Sequence, residues 1–185
     1  MKTYISTFIS GFQELIQSVL KKYIADITIV TLLDGLIVYR TNSNVEKIRN
    51  IRFFNNSFLV IKQFGRGITH PVRYASTPLY RGEISIRNMV QAVYKIKNLE
   101  EIIYKDIKDR GKSFRIIVSS ENRLISLNKK LLKPIEKRIS KVKGLRIDRK
   151  KPDIEFWFLL RRERIGFFAM RLTRHKAYEK VLKRG

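Results

Sequence analysis

The sequence predicts an α+β fold divided into two domains. Through the first third of the chain, runs with the two-residue period of a strand alternate with runs that have the 3.6-residue period of a helix. Near the other end, aromatic and β-branched residues fill 154–160 and 166–172, and a charged cluster joins the two runs as in a β-hairpin. Residues 65–82 are rich in glycine, proline and small polar residues and have no period. We therefore expect domains at 1–64 and 85–185, joined by a linker at 65–84.

The N-terminal domain is predicted to begin with a strand, a helix and a hairpin. Residues 3–9 alternate like a strand. The helix that follows has one apolar face, which consists of Phe12, Leu15, Ile16, Val19, Leu20 and Tyr23. Strands at 26–33 and 36–41 flank Asp34-Gly35, a dipeptide typical of tight hairpin turns.

Two capping boxes mark where the helices of this domain start. Ser10 with Gln13 precedes the first helix, and Ser43 with Glu46 precedes a second, shorter one. A last strand is predicted at 57–63. The resulting order is strand, helix, strand, strand, helix, strand, which is typical of the ferredoxin-like split βαβ unit. We expect a ferredoxin-like βαββαβ domain.

The C-terminal domain is predicted to mix helices with a smaller number of strands. Ser85 and Asn98 cap two short helices, and 113–119 reads as a strand. An amphipathic helix follows, because apolar residues recur every four positions at Leu127, Leu131, Ile135 and Ile139. Gly144 is expected to end it. A short strand at 145–148, the aromatic hairpin and a final helix that begins at 173 complete the domain.

The charge of the chain is far from balanced. Its 40 lysine and arginine residues against 16 acidic residues give a formal net charge of +24. Residues 1–84 hold 11 basic and 5 acidic side chains, whereas residues 85–185 hold 29 and 11. Solubility alone favours a net charge of single digits, so this excess indicates a polyanionic partner that contacts mainly the second half.

The densest cluster of cations lies on the polar face of the amphipathic helix. Like charges that recur at i and i+4 repel one another, so phosphate contact is the reading that explains them, and a solvated solubility face is the alternative. The positive excess continues through the segment after the helix, the charged hairpin tip and the chain beyond the hairpin. The candidate binding residues are Lys129, Lys130, Lys133, Lys137, Arg138, Lys141, Arg146, Arg149, Lys150, Lys151, Arg161, Arg162, Arg164, Arg171, Arg174, His175 and Lys176.

The aromatic hairpin itself is predicted to have an apolar body and a cationic end. Its phenylalanines alternate in a way that requires a buried face, so Phe156, Phe158, Phe167 and Phe168 are expected in the core. The guanidinium groups at the tip cannot be buried unpaired.

Several classes of function have no support in the sequence. The chain has no cysteine and only two distant histidines, so no metal site is expected. It also lacks a glycine-rich phosphate loop, an HExxH or GxSxG motif and paired carboxylates in an apolar run, so no catalytic residue is expected. No stretch approaches the length of a membrane span or of a signal-peptide core, and we expect a cytoplasmic protein.

The second half resembles the THUMP module of RNA-modifying enzymes. The resemblance covers 113–175 and is carried by the segments 113–119 and 145–173. The matching positions form a hydrophobic-Asp, Pro-Asp, strand, hairpin, Gly-hydrophobic, Leu-Thr pattern at Ile147, Asp148, Pro152, Asp153, Gly166, Leu172 and Thr173. It is most similar to THUMP-type RNA methyltransferases that depend on S-adenosylmethionine, and in that family a ferredoxin-like domain precedes the THUMP domain.

This resemblance implies that the ligand is RNA. The RNA it implies first is tRNA, which the family is thought to hold by its acceptor end. It also implies a Rossmann-fold methyltransferase partner, either covalently linked or separate, that would bind S-adenosylmethionine. The catalytic signature of that family is not found in these 185 residues, so no cofactor is expected in this chain. The alternative is a ribosome-associated or structural RNA-binding protein that has no linked enzyme.

Overall fold

The computed structural model describes residues 1–69, 78–107, 113–142 and 144–173, and these form a mixed α and β fold. They divide into two compact units. The first contains Met1–Val60 together with the described residues from Arg171 onward, and the second contains Ile61–Met170.

In the first unit, the described residues follow the predicted order of strand, helix, strand, strand, helix, strand. These elements are β1 (Lys2–Thr7), α1 (Gln13–Tyr23), β2 (Thr28–Leu33), β3 (Leu36–Thr41), α2 (Val45–Arg49) and β4 (Asn56–Phe64). The strands lie in the order β2, β3, β1, β4, and neighbouring strands are antiparallel. Gly35 turns the chain between β2 and β3 with a φ of +73°, a conformation that glycine adopts without a steric cost.

A buried network of hydroxyl groups crosses the sheet of this unit. Ser6 Oγ of β1 lies 3.1 Å from Tyr39 Oη of β3 and 2.9 Å from Ser57 Oγ of β4. Burial raises the pKa of Tyr39 well above its ordinary value, so the phenol stays protonated. Because unpaired buried hydroxyls cost free energy, this network favours the register in which the three strands bring these side chains together.

The described part of the second unit contains four helices and five strands. They are α3 (Arg66–Thr69), α4 (Pro78–Tyr94), α5 (Leu99–Ile107), β5 (Ser113–Ser120), β6 (Arg123–Leu124), α6 (Lys129–Ile139), β7 (Arg146–Ile147), β8 (Ile154–Leu160) and β9 (Gly166–Arg171). The central strands β5 and β8 are parallel, and β9 pairs antiparallel with the other edge of β8. The edge of β5 that faces away from β8 is covered only near its two ends in the described residues. There β7 pairs with Ser113 and Phe114, and β6 pairs with Ser119 and Ser120.

The aromatic hairpin forms as predicted and supplies the core of the second unit. Phe156, Phe158, Phe167 and Phe168 are each fully buried. The ring of Phe168 lies 5.8 Å from that of Phe156 and 4.7 Å from that of Phe158. At the start of β9, Gly166 allows the closest approach, because an added Cβ would lie 2.7 Å from Thr69 Cγ2 and 2.9 Å from Met89 Sδ.

The structure differs from the sequence-based expectations at several places. Helix α2 is capped by Asn44, whose Oδ1 accepts from the backbone N–H of Glu46 at 3.0 Å, and not by Ser43. Ser85 lies within α4 and does not cap a helix. The segment 65–84 is not a linker without regular structure, since α3 and the first turns of α4 lie within it. Helix α6 is shorter than the apolar repeat suggests, because Asn128 caps it by accepting from the backbone N–H of Lys130 at 2.9 Å. The first helix has no side-chain cap at its start, so the predicted box at Ser10 does not form.

Candidate nucleic-acid interface

Five exposed lysines lie on one side of α6 and of the turn that follows it, and we refer to them as the lysine surface. They are Lys129, Lys130, Lys133, Lys137 and Lys141. At 3.6 residues per turn they span roughly 120° of the helix circumference, opposite the buried Ile135 and Ile139. Lys129, Lys133 and Lys137 follow one another at roughly 6 Å along the helix axis.

The position of these lysines makes α6 less stable as a helix. Its first turn contains no acidic residue and begins with Lys129 and Lys130. Cations at a helix N-terminus oppose the helix dipole, and neighbouring lysines four residues apart repel one another. A face selected only for stability or solubility would mix both signs, so this arrangement indicates a binding surface for an anion.

The one acidic residue in α6 does not neutralise the lysine surface. Glu136 is buried, and both of its carboxylate oxygens accept from Arg149 Nη2 at 2.8 Å. This ion pair lies at the side of α6 and ties the 146–151 segment to the helix. Arg149 is therefore engaged in the fold, although its side chain remains 58% exposed.

Arg138 points away from the lysine surface and holds three helices together. Its Nε donates to Glu100 Oε1 at 2.7 Å, and its Nη1 donates to the carbonyls of Tyr94 at 2.5 Å and Ile96 at 2.8 Å. The guanidinium also lies 5.9 Å from the centre of the Tyr94 ring, and the side chain is only 16% exposed. It satisfies carbonyls at the C-terminal end of α4, where a helix leaves acceptors unpaired.

The ion pair between Arg138 and Glu100 shifts the pKa values of both side chains. The hydrogen bond from the guanidinium lowers the pKa of Glu100 and raises the pKa of Arg138. Arg138 was among the candidate binding residues on sequence grounds, but the structure shows an interior contact instead of an available surface cation. Lys137 and Arg138 are adjacent in the sequence, so a structural cation can be compared directly with a candidate binding cation.

The loop after β7 presents two more lysines beside α6. Asp148 Oδ1 accepts from the backbone N–H groups of Lys150 at 2.9 Å and Lys151 at 3.0 Å, and these bonds lower the pKa of Asp148. The loop is therefore fixed by its backbone, while the side chains of Lys150 and Lys151 are exposed. Arg146, in β7, is exposed as well.

The hairpin tip contributes fewer available cations than its sequence suggests. The side chain of Arg161 is only 12% exposed, and its Nη1 donates to Asn122 Oδ1. Its Nε lies 3.7 Å from Glu163 Oε2 and is buried without a hydrogen bond. Arg162 and Arg164 are exposed, and Arg164 adopts a φ of +61° in the turn.

The remaining candidates lie after the hairpin. Arg171 is partly buried and its Nε donates to Thr173 Oγ1 at 3.4 Å. Arg174, His175 and Lys176 lie outside the described residues. The structure thus brings together the lysine surface and the loop lysines, and it assigns Arg138, Arg149 and Arg161 to contacts within the fold.

A groove of about 500 Å³ lies beside the lysine surface, along the part of β5 that neither β6 nor β7 covers. Its apolar lining includes Ile116, Leu132 and Leu124, which is 73% exposed. Three cations, Arg115, Lys129 and Arg149, also line it, together with Glu136, which is paired with Arg149. No sequence pattern predicts this groove, because it depends on the short strand β6 and on the positive φ values of Glu121 and Asn122.

A second ion pair supports the sheet next to this groove. Arg115 donates through its Nε to Glu155 Oε1 at 3.0 Å, and Trp157 Nε1 donates to Glu155 Oε2 at 3.1 Å. Glu155 is buried, so these donors pair a carboxylate that would otherwise be costly to bury. The Trp157 ring is only partly exposed, and this hydrogen bond fixes its orientation.

The described residues offer no other obvious chemistry. Among them, no group of three or more histidine, cysteine, aspartate or glutamate side chains could hold a metal ion. Within the same ranges, no helix has the length and apolar character needed to cross a membrane. What the site can do is bind phosphates through lysine ammonium groups, which act as point charges and do not read base sequence.

Comparison with known proteins identifies the fold but not a family. No protein-family model and no curated protein matches the sequence. Among solved structures, the chain is similar to TrmN from Thermus thermophilus, with 13% identity and a TM-score of 0.62 over 94% of this chain and 46% of that one. It is also similar to a possible methylase from Clostridium difficile 630, with 15% identity and a TM-score of 0.54 over 92% and 41% of the two chains.

A third similar structure is a 4-thiouridine synthetase in a complex with RNA and bound ATP. The identity is 11% and the TM-score 0.50, over 92% of this chain and 41% of the synthetase. At such identities the likeness concerns the fold alone. The chain therefore shares its fold with a region that makes up less than half of each of these three proteins.

Proposed function

We propose that this chain is the RNA-binding region of an RNA-modifying methyltransferase, with tRNA as its substrate. In this proposal a ferredoxin-like domain at residues 1–64 and a THUMP-like domain at 85–185 hold the RNA in the cytoplasm. A Rossmann-fold domain, linked or separate, binds S-adenosylmethionine and transfers the methyl group. The single observation that carries the proposal is the lysine surface, a row of exposed cations that no acidic side chain of α6 offsets.

The shared fold supports this proposal from a second direction. One of the similar structures is described as a possible methylase, and another is a synthetase complexed with RNA. The RNA in the synthetase complex favours RNA over other polyanions as the ligand. The THUMP resemblance of residues 113–175 adds the expectation that the acceptor end of tRNA is the part that is held.

The chemistry of the surface predicts how binding should respond to salt. If roughly six to ten phosphates are neutralised, counterion release should lower affinity by orders of magnitude over a modest rise in salt. The groove beside β5 gives the surface an apolar neighbour, on which an unpaired nucleotide could be placed while lysines hold its backbone. Such a combination would favour an RNA with a single-stranded end over a plain duplex.

The experiment that tests the proposal compares three RNAs over a salt series. They are intact tRNA, tRNA without its 3′ single-stranded end, and a duplex of equal length. We expect tighter binding of intact tRNA that persists at about 150 mM salt, where nonspecific phosphate contacts are already weak. Equal binding of all three, lost together as salt rises, would contradict the proposal and favour a structural polycation.

A further inference from the structure

Helix α1 leaves an apolar stripe uncovered. Its buried side chains are Ile16 and Leu20, whereas Phe12 is 48%, Leu15 55% and Tyr23 44% exposed. The sequence predicts that all of these residues share one apolar face of the helix, and the structure buries only part of that face. The helical spacing puts the exposed residues on a separate stripe beside the buried one, because 12, 15, 19 and 23 recur at three- and four-residue intervals.

The N-terminal end of this stripe differs in charge from the mainly basic remainder of the chain. Single exposed apolar residues are common, but a contiguous apolar stripe on a helix marks an interaction surface. The acidic side chains Glu14 and Asp34 lie at its N-terminal end. Phosphates would be repelled at this end, so the N-terminal part of the stripe is suited to a protein partner and not to RNA.

The N-terminal end of the stripe contains an open groove of about 600 Å³. It is lined by Phe12, Leu15 and the half-buried Leu32 and Leu33 of β2, with Glu14 and Asp34 at its edge. The Asp34 carboxylate is held in place, because its Oδ1 accepts from the backbone N–H of Gly11 and from Gln13 Nε2, each at 3.0 Å. The groove therefore offers apolar walls and a fixed negative charge.

The C-terminal end of the same helix has the complementary features. Tyr23 presents an exposed ring that packs edge-on against Phe53 at 6.5 Å, and Lys47 lies 5.4 Å from the ring centre. These neighbours hold the ring in one orientation. Lys21 and Lys22 are the basic residues of the last turn of α1, and both are exposed. An aromatic ring beside an ammonium group fits a groove with apolar walls and an acidic edge.

We infer that α1 is a self-association surface on which a second copy of the chain docks with its own α1 antiparallel. The two ends of the stripe meet in that orientation, since Phe12 directly precedes α1 and Tyr23 is its last residue. Each groove then receives Tyr23 and Lys22 of the second copy, and Leu15 meets Val19. The contact is isologous, as expected for a twofold dimer, and the two helix dipoles oppose each other favourably.

The expected dimer is weak, and added salt should not weaken it as it weakens RNA binding. A single helix pair buries less surface than the standard interface of about 1,600 Å², so a reversible association is expected. Its core is apolar, and moderate salt screens the repulsion between two strongly positive chains. Added salt should therefore preserve or strengthen the dimer, whereas it should weaken any phosphate contact.

The test is sedimentation velocity of the full chain without RNA, over a concentration series that reaches roughly 1 mM. We expect a monomer–dimer equilibrium. Leu15→Glu should weaken it at least about tenfold, because it places two carboxylates in an apolar contact. Ser18→Glu is the matched control, since Ser18 is exposed on α1 but lies off the stripe. Neither variant changes the lysine surface, so RNA binding by both should equal that of the unaltered chain.

A charge exchange identifies the second copy as the partner. Glu14→Lys alone and Lys22→Glu alone should each weaken the dimer, since like charges then face each other twice. An equimolar mixture of the two variants should form a heterodimer of restored affinity, because opposite charges face each other at both ends. A chain that stays monomeric throughout would overturn the inference, and so would a dimer that neither Leu15→Glu nor the single charge variants weaken. RNA binding remains measurable in every case.

Discussion

Arg149 Nη2 donates to both carboxylate oxygens of Glu136 at 2.8 Å. The carboxylate is buried and paired with Arg149, so the negative charge of α6 is already compensated and does not offset the lysine surface. The same pair fixes the 146–151 segment, which presents Lys150 and Lys151, against the helix.

Glu136→Gln tests whether this pair is structural. The change removes the charge but keeps the shape, and leaves Arg149, 58% exposed, to be solvated by water. We expect the free energy of unfolding, measured by chemical denaturation, to fall by about 1 kcal/mol. RNA affinity should stay the same or rise slightly, because one negative charge near the surface is gone. A loss of RNA binding with unchanged stability would show that Glu136 acts in recognition instead.

Adjacent residues of α6 separate structural cations from binding cations. Arg138→Met should lower the free energy of unfolding by about 2–3 kcal/mol, since it leaves the Glu100 carboxylate and the α4 carbonyls without their donor. Lys137→Met should leave stability within about 0.5 kcal/mol and reduce RNA affinity.

Thermal or chemical unfolding together with a filter-binding measurement on each variant checks this pair. The two variants remove the same charge from neighbouring positions, so each serves as the control for the other. If Lys137→Met lost stability and Arg138→Met did not, the assignment of these two cations would be reversed.

The pKa of Glu100 predicts a pH dependence of stability. The hydrogen bond from Arg138 lowers this pKa below its ordinary value of 4.5. The unfolded chain therefore binds a proton at a higher pH than the folded chain does, and the contribution of Glu100 is fully present above the ordinary value. It is lost as the pH falls through the lower, folded pKa.

Unfolding measured from pH 6 to the acid limit of folding checks this dependence. Asp26 and Asp148 also have lowered pKa values, so the unaltered chain should show a combined loss of stability in acid. The matched comparison is Arg138→Met, whose stability should fall less steeply with acid because the Glu100 contribution is gone. Identical slopes in the two chains would mean that the pair does not contribute to stability.

The sequence predicted elements well where a local pattern decided them. The hairpin at 154–160 and 166–171 and the turn at Asp34-Gly35 follow from alternation and turn chemistry, and the structure has them there. Helices α3 and the start of α4 were missed because glycine and proline dominate 65–82, and contacts such as Thr69 Oγ1 to the carbonyl of Arg164 at 2.6 Å depend on residues far along the chain.

The candidate site shows the same limit. Charge and helical period identified the lysine surface, since a polar face needs no knowledge of its neighbours. The sequence could not distinguish Lys137 from Arg138, because the partners of Arg138 lie 38 to 44 residues earlier in the chain. Periodicity placed the apolar residues of α1 on one face but could not show which of them are covered, and Phe12, Leu15 and Tyr23 are exposed.

The most direct measurement is the RNA affinity and its salt slope for Lys133→Glu/Lys137→Glu, compared with a control that has the same net charge. The control, Lys62→Glu/Lys105→Glu, reverses two exposed lysines on β4 and α5 that are not part of the lysine surface. We expect the first variant to bind tRNA at least about tenfold more weakly, with a salt slope reduced by about 2, and the control to lose only a small part of its affinity. Equal losses in both variants would contradict the central claim, because binding would then depend on total charge and not on the lysine surface of α6.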